Sequence, residues 1–145
     1  MNIHAYKYLA LVLLLVASNV FAQKTATVFF IPFERETYIP VTKQTVECAS
    51  MEKWMIYKES TILELKTILE HQLGGQFNDQ RVRVRVSLNS SVYFVDAEGV
   101  VLHGDSTYKI DKEAFRKIGD SPELKRKARV NNCVHDQKNK WGQKE

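Results

Sequence analysis

Residues 81–86 read Arg-Val-Arg-Val-Arg-Val, and no other stretch constrains the fold as tightly. Successive side chains of a strand point to opposite faces, so strict alternation places Val82, Val84 and Val86 on one side and Arg81, Arg83 and Arg85 on the other. A chain with such a strand has one sheet face to bury and needs an apolar element to cover it.

Residues 60–73 supply that cover. Ile62, Leu65, Ile68, Leu69 and Leu73 recur at helical spacing, Thr61 with Glu64 has the pattern of a capping box, and Gly74-Gly75 ends the run. The valines are expected to face this helix, leaving the arginines on the opposite face. Further strands are predicted at 25–32, which is rich in β-branched and aromatic residues and ends at Pro32, and loosely at 38–48. Residues 51–57 remain ambiguous between helix and strand. Residues 92–95 and 100–103 flank Asp96-Ala97-Glu98-Gly99, with glycine where a positive φ is needed, and form a hairpin. Asp111 caps a short helix through Ile118, closed by Gly119, and Ser121-Pro122 has the pattern of a further helix start.

The order of elements predicts an α+β fold. It is a single small domain with a mostly antiparallel sheet of about 4–5 strands, one main packing helix, short C-terminal helices and one disulfide.

The first 22 residues bear on compartment. Lys7 precedes an unbroken apolar run at 9–16, and Val20 and Ala22 are residues a signal peptidase accepts at the third-last and last positions. The run is shorter than the roughly 20 residues of a bilayer span. Residues 1–22 are thus expected to be a cleaved signal peptide. Residues 23–145 would form the mature domain in the bacterial periplasm, or alternatively in a secreted protein, with no stable membrane insertion after cleavage. If the source were eukaryotic, Asn89-Ser90-Ser91 would be a glycosylation acceptor.

An exported chain with an even cysteine count predicts a bridge, here Cys48 to Cys133. Closing nearly the whole domain would contribute roughly 4–5 kcal/mol less any strain. The bridge would also tether 131–145, which lacks periodicity and reads as an irregular basic tail.

The chain has 21 Lys and Arg against 17 Asp and Glu, a net charge of +4. The excess gathers at the C-terminal end, where Lys125, Arg126, Lys127, Arg129, Lys138, Lys140 and Lys144 face only Glu123, Asp136 and Glu145 after residue 120. Such an end suits an acidic protein face or an anionic envelope polymer. Export argues against a nucleic-acid partner. Arg81, Arg83 and Arg85, with Lys125, Arg126 and Arg129, are the candidate partner-binding residues, because guanidinium groups meet carboxylates in bidentate fashion. The competing role of an arginine ladder is to keep an exposed sheet face from aggregating.

No catalytic residue, metal site or cofactor is predicted. His103-Gly104-Asp105 and His135-Asp136 bring an imidazole near a carboxylate in sequence, but no nucleophile elbow accompanies them. His71 reads as a solvated helix residue. Glu34 and Glu36 flank Arg35 as solvated charge rather than as a glycosidase pair, and no glycine-rich phosphate loop is present. Two isolated cysteines make neither a tetrahedral shell nor a redox pair.

Residues 93–101, Tyr-Phe-Val-Asp-Ala-Glu-Gly-Val-Val, resemble the strand-turn-strand of periplasmic thioredoxin-like proteins, which read apolar-apolar-Asp-x-x-Gly-apolar. That family's Cys-x-x-Cys is missing. So is the proline it places just before the strand, where Ser90-Ser91 stands here. The resemblance implies a degenerate thioredoxin-like protein without redox activity. The leading expectation differs: an exported, non-enzymatic binding protein, an inhibitor or immunity protein that neutralises a bacteriocin or envelope-targeting toxin by protein–protein contact. An accessory module binding peptidoglycan or lipopolysaccharide is the other alternative.

Overall fold

The computed structural model describes residues 24–128. The elements run β1 (Ala26–Phe30), α1 (Val46–Ala49), β2 (Glu52–Ile56), α2 (Glu59–Leu69), β3 (Gln72–Leu73), β4 (Val82–Leu88), β5 (Ser91–Asp96), β6 (Val100–His103), β7 (Ser106–Lys109), α3 (Lys112–Gly119) and β8 (Lys125–Ala128). The strands form one eight-stranded sheet in the order β3-β7-β6-β5-β4-β1-β2-β8. Every ladder is antiparallel, and the one parallel pairing among the described residues is the isolated bridge between Val41 and Arg81.

Local chemistry explains the meander from β4 to β7. Asn89 takes a φ of 53° in the tight β4–β5 turn, a conformation asparagine tolerates better than most side chains. Gly99, at φ +83°, closes the next turn. There Asp96 ties the corner together, one carboxylate oxygen accepting from Glu98 N at 3.0 Å and Val100 N at 2.9 Å, the other from Asn78 N at 2.9 Å.

Both longer helices cross the same face of the sheet. α2 carries the chain from β2 to the far edge strand β3, and α3 leads back from β7 toward β8. Beneath them lies the main core, with Val28 and Phe30 from β1, Trp54 and Ile56 from β2, Val84 and Val86 from β4, and Tyr93 and Val95 from β5. Ile62, Leu65 and Leu69 of α2 and Phe115 and Ile118 of α3 close it from above. Phe115 is fully buried, its ring 5.6 Å from that of Trp54, 6.1 Å from Phe30 and 6.0 Å from Phe33. Gly119 lets α3 approach Trp54, since a Cβ there would lie 2.6 Å from the indole.

The expected sheet of four to five strands is corrected to eight. β3, β7 and β8 carry no clean apolar alternation, and what makes them strands is the partner edge each one meets. The further helix at Ser121-Pro122 is not formed. Residues 121–124 turn, with Ser121 N donating to Ile118 O and Leu124 N to Ser121 O, and the chain then pairs with the edge of β2. The C-terminal region therefore holds one short helix and a strand. Residues 38–48 are loop and α1 rather than a strand, while the ambiguous 51–57 segment contains β2. α2 begins at Glu59 with no side-chain cap, so the Thr61–Glu64 capping box is absent, and Leu73 lies in β3. Cys48 of the expected Cys48–Cys133 bridge lies in α1, and Cys133 falls outside the described residues. The leader, the tail at 131–145, Arg129 and His135 fall outside them too.

Candidate functional site

The face away from α2 and α3 is built differently, and the difference starts in β4. A register shift between Val82 and Val84 interrupts the alternation, as a β-bulge does. Val84 and Val86 lie in the main core, whereas Val82 joins Ile31, Val41 and Val46 in a smaller cluster, with Phe77 and Phe94 packed against it.

The same bulge divides the arginine ladder. Arg81 pairs with Glu98 at 2.9 Å near the β5–β6 turn. Arg83 is only 3% exposed; its Nη1 donates to Val82 O and its Nη2 to Arg35 O, both at 3.1 Å, and its Nε finds no acceptor among the described residues. Burial lowers its pKa, the Arg81 charge adds to that, and Asp96 opposes it. Arg83 thus holds a loop from beneath rather than facing a partner. Arg85 reaches Glu47 of α1 at 3.0 Å and stands 6.0 Å over the Phe29 ring. The three arginines do not form one surface.

What that face does assemble is a basic row crossing four strands. Phe29 is the register partner of both Arg85 and Lys53, and Lys53 is opposite Lys127, so Arg85, Phe29, Lys53 and Lys127 lie in line across β4, β1, β2 and β8. Met55 and Lys125 sit opposite one another in the neighbouring row on the same face. The Lys53 ammonium lies 5.4 Å from the Phe29 ring, and that of Lys125 lies 5.4 Å from the Tyr57 ring. No carboxylate partner for Lys53, Lys125 or Lys127 occurs among the described residues. These lysines border a groove of about 460 Å³ that Phe29, Met55, Glu47 and Arg126 also line.

Arg126 takes the other face. It is opposite Trp54, and its Nε and Nη2 bond the two oxygens of Glu52 at 2.7 and 2.6 Å. Trp54 Nε1 donates to the same carboxylate at 2.8 Å. Burial works against the charged form of Glu52, but the Arg126 and Trp54 hydrogen bonds outweigh it and hold the pKa below the usual carboxylate range. Arg126 therefore fastens β8 to β2. Of the predicted partner-binding residues, Arg85 and Lys125 reach the basic row. Lys53 and Lys127 were missed, and the signal for Lys127 was period-two spacing from Lys125 once 125–128 is read as a strand.

A second exposed feature is the loop between β1 and α1. Phe33 is 3% exposed and sits edge-on to Phe30 and Phe115, while Glu34 is ion-paired with Arg116. Arg35 N donates to Pro32 O at 3.0 Å, and Arg35 O accepts from the buried Arg83. At the far end Val41 is 4% exposed, and its carbonyl accepts from Val82 N at 2.8 Å. Between these anchors Tyr38 is fully solvated (109% relative exposure) and Ile39 is 68% exposed.

The histidines are scattered. His71 is exposed beyond α2. His103 stacks on Tyr93 at 4.0 Å between ring centroids, and its Nδ1 is 3.9 Å from Glu70, which accepts from Tyr93 Oη at 2.6 Å. Burial first and the Glu70 contact second push the Tyr93 phenol well above its ordinary range, which keeps it protonated. Asp105 is not an ion-pair partner of His103. Among the described residues no group of three or more His, Cys, Asp and Glu side chains is placed to hold a metal. Comparison of the chain with protein-family models, with curated proteins and with solved structures gives no match.

Proposed function

We propose that this chain is an exported binding protein that acts by protein–protein contact, in the manner of an inhibitor or immunity protein directed at a toxin or envelope enzyme. The loop at 34–40 is its principal contact. The observation that carries the reading is the exposure of Tyr38 and Ile39 at the apex of a loop whose two ends are buried. Apolar side chains of this size tend to dominate binding energy when they enter a partner's pocket, tyrosine above all. Anchoring limits the entropy lost when the apex is immobilised, because Phe33, Val41 and the Arg83–Arg35 hydrogen bond already hold its base. Pro40 adds to this by biasing Ile39 toward extended backbone. The exported part of the proposal rests on the leader pattern at 1–22.

The test places a photo-crosslinking amino acid at position 38 in cells of origin, with position 105 in the exposed β6–β7 turn as control. A single discrete protein adduct from position 38, absent from position 105 and abolished by Ile39→Asp, is the expected result. Absence of any adduct from position 38 while the protein accumulates normally overturns the proposal.

A further inference from the structure

We infer that the partner of the loop at 34–40 is an endopeptidase that accepts an aromatic side chain. Tyr38 fills its selecting pocket, the Tyr38–Ile39 bond lies at its nucleophile, and the anchors of the loop make the chain an inhibitor rather than a substrate. This rests on the loop reading above and names the chemistry of the partner. Three observations point to it.

The first is shape. Residues 34–40 are all exposed and the chain bends at Tyr38 and Ile39, so the apex is convex. A convex apex fits a concave partner, and clefts that receive a ligand are concave and largely preformed. Tyr38 is fully solvated, so its entry into a pocket breaks no contact within the chain.

The second is which carbonyl is free. An enzyme with an apolar slot for a large ring cleaves on the carboxyl side of that residue, here the bond to the exposed Ile39. The following bond joins Ile39 to Pro40, whose ring nitrogen carries no N–H. Arg35 offers a side chain to an enzyme that selects a cation. Its carbonyl, however, is already held by Nη2 of the buried Arg83 at 3.1 Å and is not available to an oxyanion hole.

The third is anchoring. Arg35 and Val41 lie three residues to either side of Tyr38. Arg83 holds the first, and Val82 N donates to the carbonyl of the second at 2.8 Å. Just beyond, Thr42 N donates to Thr45 Oγ1 at 2.9 Å. When the enzyme's serine Oγ attacks the Tyr38 carbonyl carbon, an ester bond forms and the bond to Ile39 nitrogen breaks. The serine proton passes through the enzyme's histidine to that nitrogen. The anchors keep the new Ile39 amine beside the ester, so its return attack re-forms the peptide bond, restores the serine proton and outruns hydrolysis by water.

The experiment measures inhibition of chymotrypsin by the full chain, with trypsin as comparison enzyme. Initial rates on small chromogenic substrates give the inhibition, and mass spectrometry follows the Tyr38–Ile39 bond. Inhibition of chymotrypsin at about micromolar or tighter, with slow cleavage of that bond and no inhibition of trypsin, is the expected result. Tyr38→Lys should weaken inhibition of chymotrypsin by about a hundredfold and create inhibition of trypsin, the scale of a central anchor residue. Arg83→Met should speed cleavage at Tyr38–Ile39 by about tenfold or more, because it frees one end of the loop. Circular dichroism verifies that both variants are folded. The proposal is overturned by any of four results: no inhibition of chymotrypsin, cleavage as fast as in a free peptide of residues 34–41, no gain of trypsin inhibition in Tyr38→Lys, or cleavage unchanged in Arg83→Met. A protein adduct from position 38 in cells, beside no inhibition here, overturns this inference and leaves the loop reading standing.

Discussion

Under α2 and α3 the sheet is sealed by aromatic and branched side chains, and β1, β2, β4 and β5 send in apolar groups at period two. On the reverse, Val41 and Val46 close a small cluster with Ile31 and Val82, and the region beside it is a row of cations. Burying large apolar groups stabilises the covered face without regard to direction. The reverse face holds groups whose energies depend on the partner each one meets. Stability should therefore reside on the covered face and recognition on the reverse, a contrast that substitutions can break or sharpen.

The largest effect is expected at Phe115, where truncation to Ala removes the ring that touches Phe30, Phe33 and Trp54. The loss should be about 3–5 kcal/mol by urea unfolding, with the usual cavity penalty. A cost below that of a typical surface substitution would break the comparison at its base.

Glu52→Ala comes next, at about 1–3 kcal/mol, because it leaves the Trp54 indole N–H without its acceptor and unpins Arg126 from β2. The pH dependence has a definite sign. A carboxylate whose pKa is depressed by folding stabilises above its unfolded value of about 4.3, and that contribution is lost as pH falls through the folded value. Stability should accordingly drop on acidification below about pH 4.5, and Glu52→Gln should flatten the drop. Denaturant midpoints at neutral and acid pH measure both.

Arg83→Met should stay within about 1 kcal/mol of the parent although the side chain is buried, since it removes an unpaired guanidinium as well as two hydrogen bonds. A loss as large as that at Phe115 would mean the reverse face shares the core's role. Lys53→Glu should raise stability by about 0.2–1 kcal/mol through its new pairing with Lys127. Gained stability there beside the loss at Phe115 would sharpen the contrast most directly. Tyr38→Ala should change thermal stability least, by about 0.5 kcal/mol or less, because the ring touches solvent.

Legibility in the sequence followed the same division. The pattern at Ile62, Leu65 and Leu69 identified the covering helix, and the Asp96–Gly99 turn and the Asp111 cap stand where their chemistry placed them. The exposed loop between β1 and α1 and the basic row were not legible as sites. Tyr38 and Ile39 looked like part of a strand, because composition carries no information on whether an apolar residue is covered. Lys125 and Lys127 looked like tail charge, because a Lys-Arg-Lys strand has no apolar phase of its own.

The sequence by itself determined that there is a sheet with one apolar face, which helix covers it and how its tight turns close. Periodicity, capping groups and glycine conformations are local properties that each residue carries with it. Only the tertiary structure decided that the sheet has eight strands, that a bulge buries Arg83 while Arg81 and Arg85 go elsewhere, and that Lys53 lies opposite Lys127. The physical reason is that pairing register and side-chain direction across strands depend on residues far apart in the chain, and a one-residue shift sends a side chain to the opposite face.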